Sequence, residues 1–228
     1  MRITIGTKLT AGFMLVLLVL VALAYYSVSI SQKSLKESVG NSSIFLAEEI
    51  LNRIEQNIYL KIEELQKYSK GSLLQKTVLE SNREFEKLDS TEEYINRKDR
   101  EWISASKDEI TPFMKILISD ELSDDLREDF IHFYKKKYGY DVFEGVSVAN
   151  RYGASVAQTG KTSDYRQDDE MWWQKAKQNG IFLSEGGFDE SAGVYASDIA
   201  IRILDNDGNF VGVLKAVVNV ESITNDSS

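Results

Sequence analysis

Residues 195–220, "YASDIAIRILDNDGNFVGVLKAVVNV", contain two apolar runs on either side of an acidic turn. Ile199, Ile201 and Ile203 alternate with small or polar residues, which is the two-residue period of a half-buried strand. Asp205–Gly208, "DNDG", has the residue types of a tight hairpin turn. The stretch therefore predicts an antiparallel hairpin, with strands near 195–205 and 209–220.

Earlier stretches extend the same pattern. Residues 141–159, "DVFEGVSVANRYGASVAQT", alternate, turn at Asn150–Gly153 and alternate again, which predicts a second hairpin. A short helix closed by Gly180 follows, and then "IFLSEGGFDES" adds one more strand. The sequence therefore predicts an α+β fold in which a five-stranded antiparallel sheet has a helical layer on one side. The remaining strands are predicted at 142–149, 154–159 and 181–186.

A long amphipathic helix is predicted before the sheet. From Ser42 to Tyr68, apolar residues recur at spacings of three and four, and Gly71 is the natural stop. No proline or glycine interrupts residues 41–70, so this helix should be nearly continuous with the apolar N-terminal segment. The stripe packs on its own domain, pairs with a second copy in a parallel homodimer, or does both. Its members are Ala47, Leu51, Ile54, Ile58, Ile62 and Leu65.

Three more helical stretches are predicted between this helix and the sheet. Ser90 followed by Glu93 has the pattern of a capping box, and Ser123 suits an N-cap. Pro112 opens a break between the second and third stretches. We interpret His132 as an ordinary residue on a helix face. The three stretches cover residues 73–88, 91–109 and 123–138.

The N-terminal segment Leu9–Ile30 carries no charge over about the length that crosses a bilayer. Arg2 and Lys8 before it favour a cytoplasmic N-terminus, although Lys33 and Lys36 after it reduce that bias. A cleaved signal peptide is the alternative, but the apolar run is long for one and no clear A-x-A site follows it. The sequence thus predicts an uncleaved anchor in the cell (inner) membrane, with the domain that follows outside the cytoplasm.

Composition excludes several classes of function. A net charge of −9 and a pI of about 4.8 argue against nucleic-acid binding. The chain has no cysteine and a single histidine, so thiol chemistry and His-based metal or triad chemistry are not expected. The acidic turn at Asp205–Gly208 lacks the full ligand spacing of a calcium loop. We predict no metal, no cofactor and no catalytic residue, and we do not expect the chain itself to be an enzyme.

The stretch "YRQDDEMWWQKAKQNG", residues 165–180, places two of the three tryptophans side by side. Adjacent positions on a helix point about 100° apart, so the two rings cannot face one core equally. One ring should therefore pack against the sheet, while the other should line a ligand pocket. Trp172 and Trp173 are each candidates for either role.

Three stretches carry a resemblance to a known family: "YRQDDEMWWQKA", "FDESAGVYASDIAIRILDNDG" and "VGVLKAVVNV". Together with the order of elements, they make residues 1–223 similar to an extracytoplasmic Cache (PDC, extracellular PAS-like) sensor domain. The resemblance implies a sensor on a histidine kinase, a chemoreceptor or a cyclic-dinucleotide enzyme. It also implies a ligand pocket between the sheet and the loop and helix that follow the second strand.

The domain boundaries follow from the same comparison. We expect a cytoplasmic leader, a transmembrane helix, a long helix with a helical membrane-distal part, the PAS-like sheet, and a tail or truncation point. Since the chain ends at "NVESITNDSS", we expect a truncated receptor rather than a stand-alone protein. The five segments are 1–8, 9–30, 31–140, 141–223 and 224–228.

This chain departs from the relatives that sense amino acids. Those relatives carry an arginine two residues before an aromatic pair and an aspartate on the last strand. Here the pair is present as Trp172 and Trp173, but Glu170 and Val217 stand at the other two positions. A standard α-amino acid is therefore not the expected ligand. The predicted ligand is a small polar organic molecule, bound without covalent chemistry.

The expected ligand site combines the tryptophan pair with the entrance loop and the last three strands. Its acidic members favour an amine or another cation, whereas Lys215 alone favours a carboxylate, so the charge of the ligand stays open. Asp189 can instead be a turn residue, and Arg166 part of a surface salt bridge. A membrane-anchored interaction module without a small-molecule ligand is the alternative function. The candidate ligand-binding residues are Tyr165, Arg166, Trp172, Trp173, Asp189, Tyr195, Asp198 and Lys215.

Overall fold

A computed structural model describes residues 5–106, 109–189, 194–220 and 222. Its helices are α1 (Ile5–Tyr68), α2 (Ser72–Phe85), α3 (Thr91–Ser104), α4 (Pro112–Ile118), α5 (Glu121–Leu126), α6 (Phe133–Tyr138) and α7 (Met171–Asn179), with a π-helical turn at Arg127–His132 that joins α5 to α6. The strands are β1 (Phe143–Asn150), β2 (Ser155–Gln158), β3 (Ile181–Leu183), β4 (Gly187–Asp189), β5 (Val194–Leu204) and β6 (Phe210–Asn219).

The chain divides into two packing units, residues 1–53 and 54–228. The first unit consists of α1 up to Arg53, as far as it is described, and its large apolar side chains are exposed. Of the described helices, α1 alone is long and apolar enough to cross a membrane, with a mean hydropathy of 2.5 in its most apolar window. The predicted continuity of the apolar segment with the amphipathic helix is confirmed, because α1 runs unbroken to Tyr68.

The sheet of the second unit is antiparallel throughout, in the order β2-β1-β6-β5-β3. Both predicted hairpins, β1–β2 and β5–β6, join neighbouring strands. The turn of the second hairpin is closed by Asp205, whose Oδ1 accepts hydrogen bonds from the backbone N–H groups of Asp207 and Asn209. The α+β class and the antiparallel sheet are therefore confirmed.

The single strand predicted at 181–186 is wrong in its extent. It ends at Leu183, and a sixth strand, β4, pairs with β5 further along the same edge. Ser184 interrupts the ladder because its hydroxyl accepts the backbone N–H of Asp198 at 2.8 Å. Gly186 then turns the chain with a φ of +77°. The sheet is thus five positions wide, and β3 and β4 share one of them.

Helices cover both faces of the sheet, not one as predicted. The first face carries the alternating isoleucines of β5, which are all buried, and packs on the end of α1, on α2 and on the α5–α6 segment. The second face packs on α7 through Ala149, Ala200 and Val213. Alternation along β6 divides the two faces, since Leu214 and Ala216 belong to the first core and Val213 to the other.

The helix boundaries correct three predictions. Ser90 caps α3 by accepting the N–H of Glu93, as expected, but α3 ends at Ser104 rather than 109. Pro112 does not only break the chain: it opens α4, a helix that the sequence pattern missed. The third stretch begins before Ser123, because Asp120 is the N-cap and accepts the N–H of Ser123 at 2.6 Å. Ser123 is buried, and its hydroxyl instead accepts the N–H of Gln158.

Candidate functional site

A cavity of about 710 Å³ lies on the second face of the sheet, between the strands and the loop that leads from β2 to α7. The floor is formed by β1 and β6, the roof by the loop, and one end by the C-terminus of α3. Trp172 contributes an aromatic wall from the start of α7. The principal lining residues are Gly145, Ser147, Lys215 and Val217 from the strands, Thr159, Lys161, Asp164, Gln167 and Glu170 from the loop, and Trp102 and Ile103 from α3 with its C-cap Ala105.

Hydrogen bonds to the helical part hold the loop over the cavity. Trp102 Nε1 donates to the carbonyl of Thr162 at 2.8 Å. Lys161 Nζ donates to the carbonyls of Ser106 and Glu109, at 2.7 and 3.0 Å. Trp102 lies in α3, and Lys161 reaches residues that follow α3, so these bonds join the loop to a part of the chain far from it in sequence. The roof of the cavity is therefore fixed by tertiary contacts.

The two tryptophans lie in different surroundings, which answers the question that their adjacency raises. Both are buried, at 4% and 5% exposure for Trp172 and Trp173. Trp172 borders the cavity, whereas Trp173 packs edge-on against Phe210 with 5.7 Å between ring centroids. Lys177 Nζ lies 4.7 Å from the centroid of the Trp173 ring. The structure thus places Trp172, and not Trp173, on the cavity wall.

Lys215 and Asp198 form an ion pair beside Trp172. Lys215 Nζ lies 3.0 Å from Asp198 Oδ2 and 5.2 Å from the centroid of the Trp172 ring. The two residues come from neighbouring strands, with Lys215 opposite Ala200 and Asp198 opposite Val217. The two-residue period of a strand therefore puts both side chains on the face that carries the cavity.

Two carboxyl groups on the cavity wall have raised pKa values. Burial is the main cause for both Asp164 and Glu170. Hydrogen bonds from Ser163 and Gln167 oppose the shift at Asp164, and the ammonium group of Lys215 opposes it at Glu170. The negative charge of Asp164 also raises the pKa of Glu170. Burial therefore disfavours the charged form of both carboxyl groups.

Tyr165 and Arg166 hold the loop and do not border the cavity. Tyr165 is buried, with ring centroids 6.2 Å from Trp102 and 5.2 Å from Phe113, and burial raises the pKa of its hydroxyl. Arg166 Nε donates to Asp168 Oδ1 at 2.8 Å, which is the salt bridge that was one of its two interpretations. Both residues are positioned by their backbone N–H groups, which donate to Asp99 Oδ1.

The remaining two candidates belong to the sheet edge. Tyr195 is exposed on β5, with its ring 5.5 Å from that of Phe188, and does not border the cavity. Asp189 ends β4, where its backbone pairs with Val194. The side chain of Asp189 lies outside the part of the chain that the structure describes.

Sequence reasoning missed most of the loop side of the cavity. Thr159, Lys161 and Asp164 have no periodicity, and only the polar, turn-rich letters of "TGKTSD" mark them. Ser147 could have been found, because β1 pairs with β6 in a register that sets Ser147 opposite Lys215. The missed residues therefore lie where long-range contacts, rather than local pattern, determine the position.

The solved structures that resemble this chain include the extracellular domain of a histidine kinase and the ligand-binding domains of chemoreceptors. The extracellular domain of a protein assigned as a histidine kinase has a TM-score of 0.35 at 15% identity, over 47% of this chain and 45% of that one. The ligand-binding domain of Campylobacter jejuni chemoreceptor Tlp3, in complex with 4-methylisoleucine, has a TM-score of 0.34 at 15% identity, over 76% and 62%. That of the Pseudomonas aeruginosa PAO1 amino-acid chemoreceptor PctC, in complex with GABA, has a TM-score of 0.35 at 13% identity, over 74% and 63%.

This chain therefore spans less than two thirds of the length of each of these three domains. No family model matches it, and no curated protein matches it in sequence. At these TM-scores and identities, the likeness carries no argument about ligand or activity. The functional argument below depends instead on the cavity and its residues.

Proposed function

We propose that this chain is an extracytoplasmic sensor module of a signalling receptor, and that it binds a small polar organic molecule without covalent chemistry. The observation that carries the proposal is the cavity of about 710 Å³ between the sheet and the loop. Small-molecule sites are clefts of roughly 300–1,000 Å³ that combine apolar walls with a few convergent polar groups. The cavity has this size, and Trp172, Val217 and Lys215 supply both kinds of wall.

Binding is favoured over catalysis by the residue types around the cavity. Its hydroxyl groups include those of Ser147 and Thr159. Activation of a hydroxyl nucleophile generally needs an adjacent base such as an imidazole. The only histidine, His132, is exposed on the π-helical turn, where its Nδ1 lies 2.7 Å from Glu128 Oε1. A non-enzymatic sensor is therefore the function that these residues support.

The packing of α1 supports a route for the signal. Ile54, Ile58 and Ile62 pack against the core on the first face of the sheet. The strands of that core carry Asp198 and Lys215 on their other face. A ligand that moved these strands would therefore alter the packing of the helix. We infer a relay through residues 42–68 as a small shift or rotation within a homodimer, with residues 9–30 as the membrane anchor.

The test is ligand binding by the full chain in detergent. A thermal-shift screen against metabolites, followed by calorimetry on each hit, should find a small polar organic ligand. Trp172→Leu should weaken its binding by about tenfold or more, because the wall of the cavity is lost. The adjacent Trp173→Leu is the matched control: it should lower the melting temperature but change affinity far less.

Two outcomes would count against the proposal. One is a screen without any hit, which would favour the interaction module that has no small ligand. The other is a hit whose affinity survives Trp172→Leu, which would place the site elsewhere on the molecule. Trp173 is a candidate for the ligand pocket from the sequence alone, but Trp173→Ala is expected to lower stability through loss of its contact with Phe210.

A further inference from the structure

Both ammonium groups on the cavity wall already have partners. Lys215 Nζ lies 3.0 Å from a carboxylate oxygen of Asp198. Lys161 Nζ donates to the carbonyls of Ser106 and Glu109, which hold it in the roof. A carboxylate ligand would therefore have to displace Asp198 or break the contacts that close the loop. Neither cation is available to an anion without a cost.

The two ammonium groups have partners, but the carboxylates on the cavity wall have no oppositely charged partner among the described residues. In the part of the chain that the structure describes, the side-chain donors to Asp164 are neutral: the hydroxyl of Ser163 and the amide of Gln167. Within the described ranges, no lysine or arginine lies within ion-pair distance of Asp164 or Glu170. Glu144, at another point of the wall, accepts from an amide. The cavity is therefore a place where added positive charge would be stabilised.

The apolar part of the wall suits an organic cation. The face of an indole ring attracts positive charge, and the ammonium group of Lys215, 5.2 Å from the Trp172 centroid, already makes such a contact. Val217 and Ile103 offer aliphatic contact to the body of a ligand. No group of three or more acidic or histidine side chains in the described residues has the arrangement to hold a metal ion. The unpaired carboxylates of the cavity wall therefore suit an organic cation better than a bare metal ion.

We propose that the cavity selects an organic cation, an amine or quaternary ammonium compound with an apolar body, held between Trp172 and the carboxylates of Glu170 and Asp164. The Lys215–Asp198 pair acts as the filter against carboxylates. Because Asp198 neutralises Lys215, the ammonium group of Lys215 repels a bound cation only weakly. The same pairing leaves no unpaired positive charge for an anion. This inference rests on the proposed function and specifies its ligand class.

The test uses probes of contrasting charge on the full chain in a non-ionic detergent. Putrescine and choline represent cations, β-alanine a zwitterion, succinate a dianion and glycerol a neutral polyol, each class extended by several homologues. Calorimetry should show binding by at least one cation and none by succinate. Glu170→Gln should lower the affinity for that cation by about tenfold or more, because it removes a charged partner.

The variants distinguish charge selection from structural damage by the sign of their effects. Lys215→Gln should raise the affinity for the cation several-fold, because it leaves Asp198 as an additional unpaired carboxylate. Glu80→Gln, an exposed residue of α2 that lies outside the cavity, is the matched control and should change nothing. If Glu170→Gln fails to fold, judged by circular dichroism, Asp164→Asn takes its place.

Failure of this inference can be told apart from failure of the proposed function. The inference is overturned if succinate, β-alanine or glycerol binds while every cation fails, or if Lys215→Gln weakens the bound probe and Glu170→Gln does not. In both cases the sensor function stands. If no probe of any class binds, this inference is overturned, whereas the proposed function is overturned only if the metabolite screen also finds no ligand.

Discussion

At the scale of single residues, Gly153 joins the first hairpin to the roof of the cavity. It has a φ of +81°, and a Cβ atom there would lie 2.3 Å from the Cβ and 2.5 Å from the backbone nitrogen of Asp168. The N–H of Gln167 donates to the Gly153 carbonyl at 2.7 Å, so the two segments are in direct contact. Only glycine satisfies both the turn and the close approach.

Gly153→Ala should lower the free energy of unfolding by about 2 kcal/mol or more, because the left-handed conformation and the contact with Asp168 both become strained. Chemical denaturation of the full chain in detergent measures this. The matched control is Gly160→Ala, since Gly160 has open space where a Cβ would stand. Equal stability of the two variants would show that the close approach at Gly153 is not a constraint.

The structural role of a residue could be predicted from the sequence where the local pattern is unambiguous. The alternating isoleucines of β5 and the turn at Asp205 needed no tertiary information. The N-cap of α5 could not be predicted with the same rule, because Asp120 and Ser123 both have capping side chains and stand three residues apart. Only packing decides between them, and Ser123 is used in the core instead.

At the scale of elements, α1 has one continuous apolar stripe but two different surroundings. Leu51 is 60% exposed, whereas Ile58 packs against the core of the second unit and Leu65 is fully buried. In the sequence, the three positions belong to the same apolar stripe and cannot be told apart. The structure therefore separates the part of the stripe that packs in the second unit from the part that is exposed.

Ile58→Lys should destabilise the second unit by about 2 kcal/mol, because it places a charge against the core. Leu51→Lys should leave the melting temperature nearly unchanged but weaken the proposed homodimer. Circular dichroism measures the first effect, and analytical ultracentrifugation in density-matched detergent the second. A dimer that tolerates Leu51→Lys would argue against pairing through this stripe.

Elements with strong periodicity were predicted well, and short irregular ones were not. Strand β4 has three residues and follows Gly186, and nothing in its letters separates it from β3. Its pairing depends on the length of β5, which extends far enough to accept two short partners on one edge. Helix α4 is similarly short and was hidden by Pro112, which was interpreted only as a break.

At the scale of the whole molecule, the absence of cysteine makes the proposed membrane orientation directly testable. Lys8 and Ser119 are both exposed, the first in α1 and the second at the end of α4. If the N-terminus is cytoplasmic, a membrane-impermeant maleimide on intact spheroplasts should label Ser119→Cys but not Lys8→Cys. Permeabilised cells, in which both should react, are the control. The reverse labelling pattern would invert the orientation.

The antiparallel sheet and both hairpins could be predicted from the sequence, but the cavity could not be outlined. Its floor follows from strand alternation, which sets Lys215 and Val217 on one face. Its roof depends on contacts such as Trp102 to Thr162, which join residues far apart in the chain and have no local signature. The sequence therefore indicates which face of the sheet carries the cavity, while tertiary contacts determine the volume of the cavity.

The β5–β6 hairpin also has a consequence for the order of events in folding. Its two long strands are adjacent in sequence and are closed by a short turn that Asp205 stabilises from its own side chain. Contacts that are local in sequence close small loops and lose little chain entropy, so they form early. Pairing of β1 with β6, in contrast, must wait for a much larger loop to close. Residues 195–220 are therefore expected to form the folding nucleus, with the cavity completed last, when the loop after β2 docks on α3.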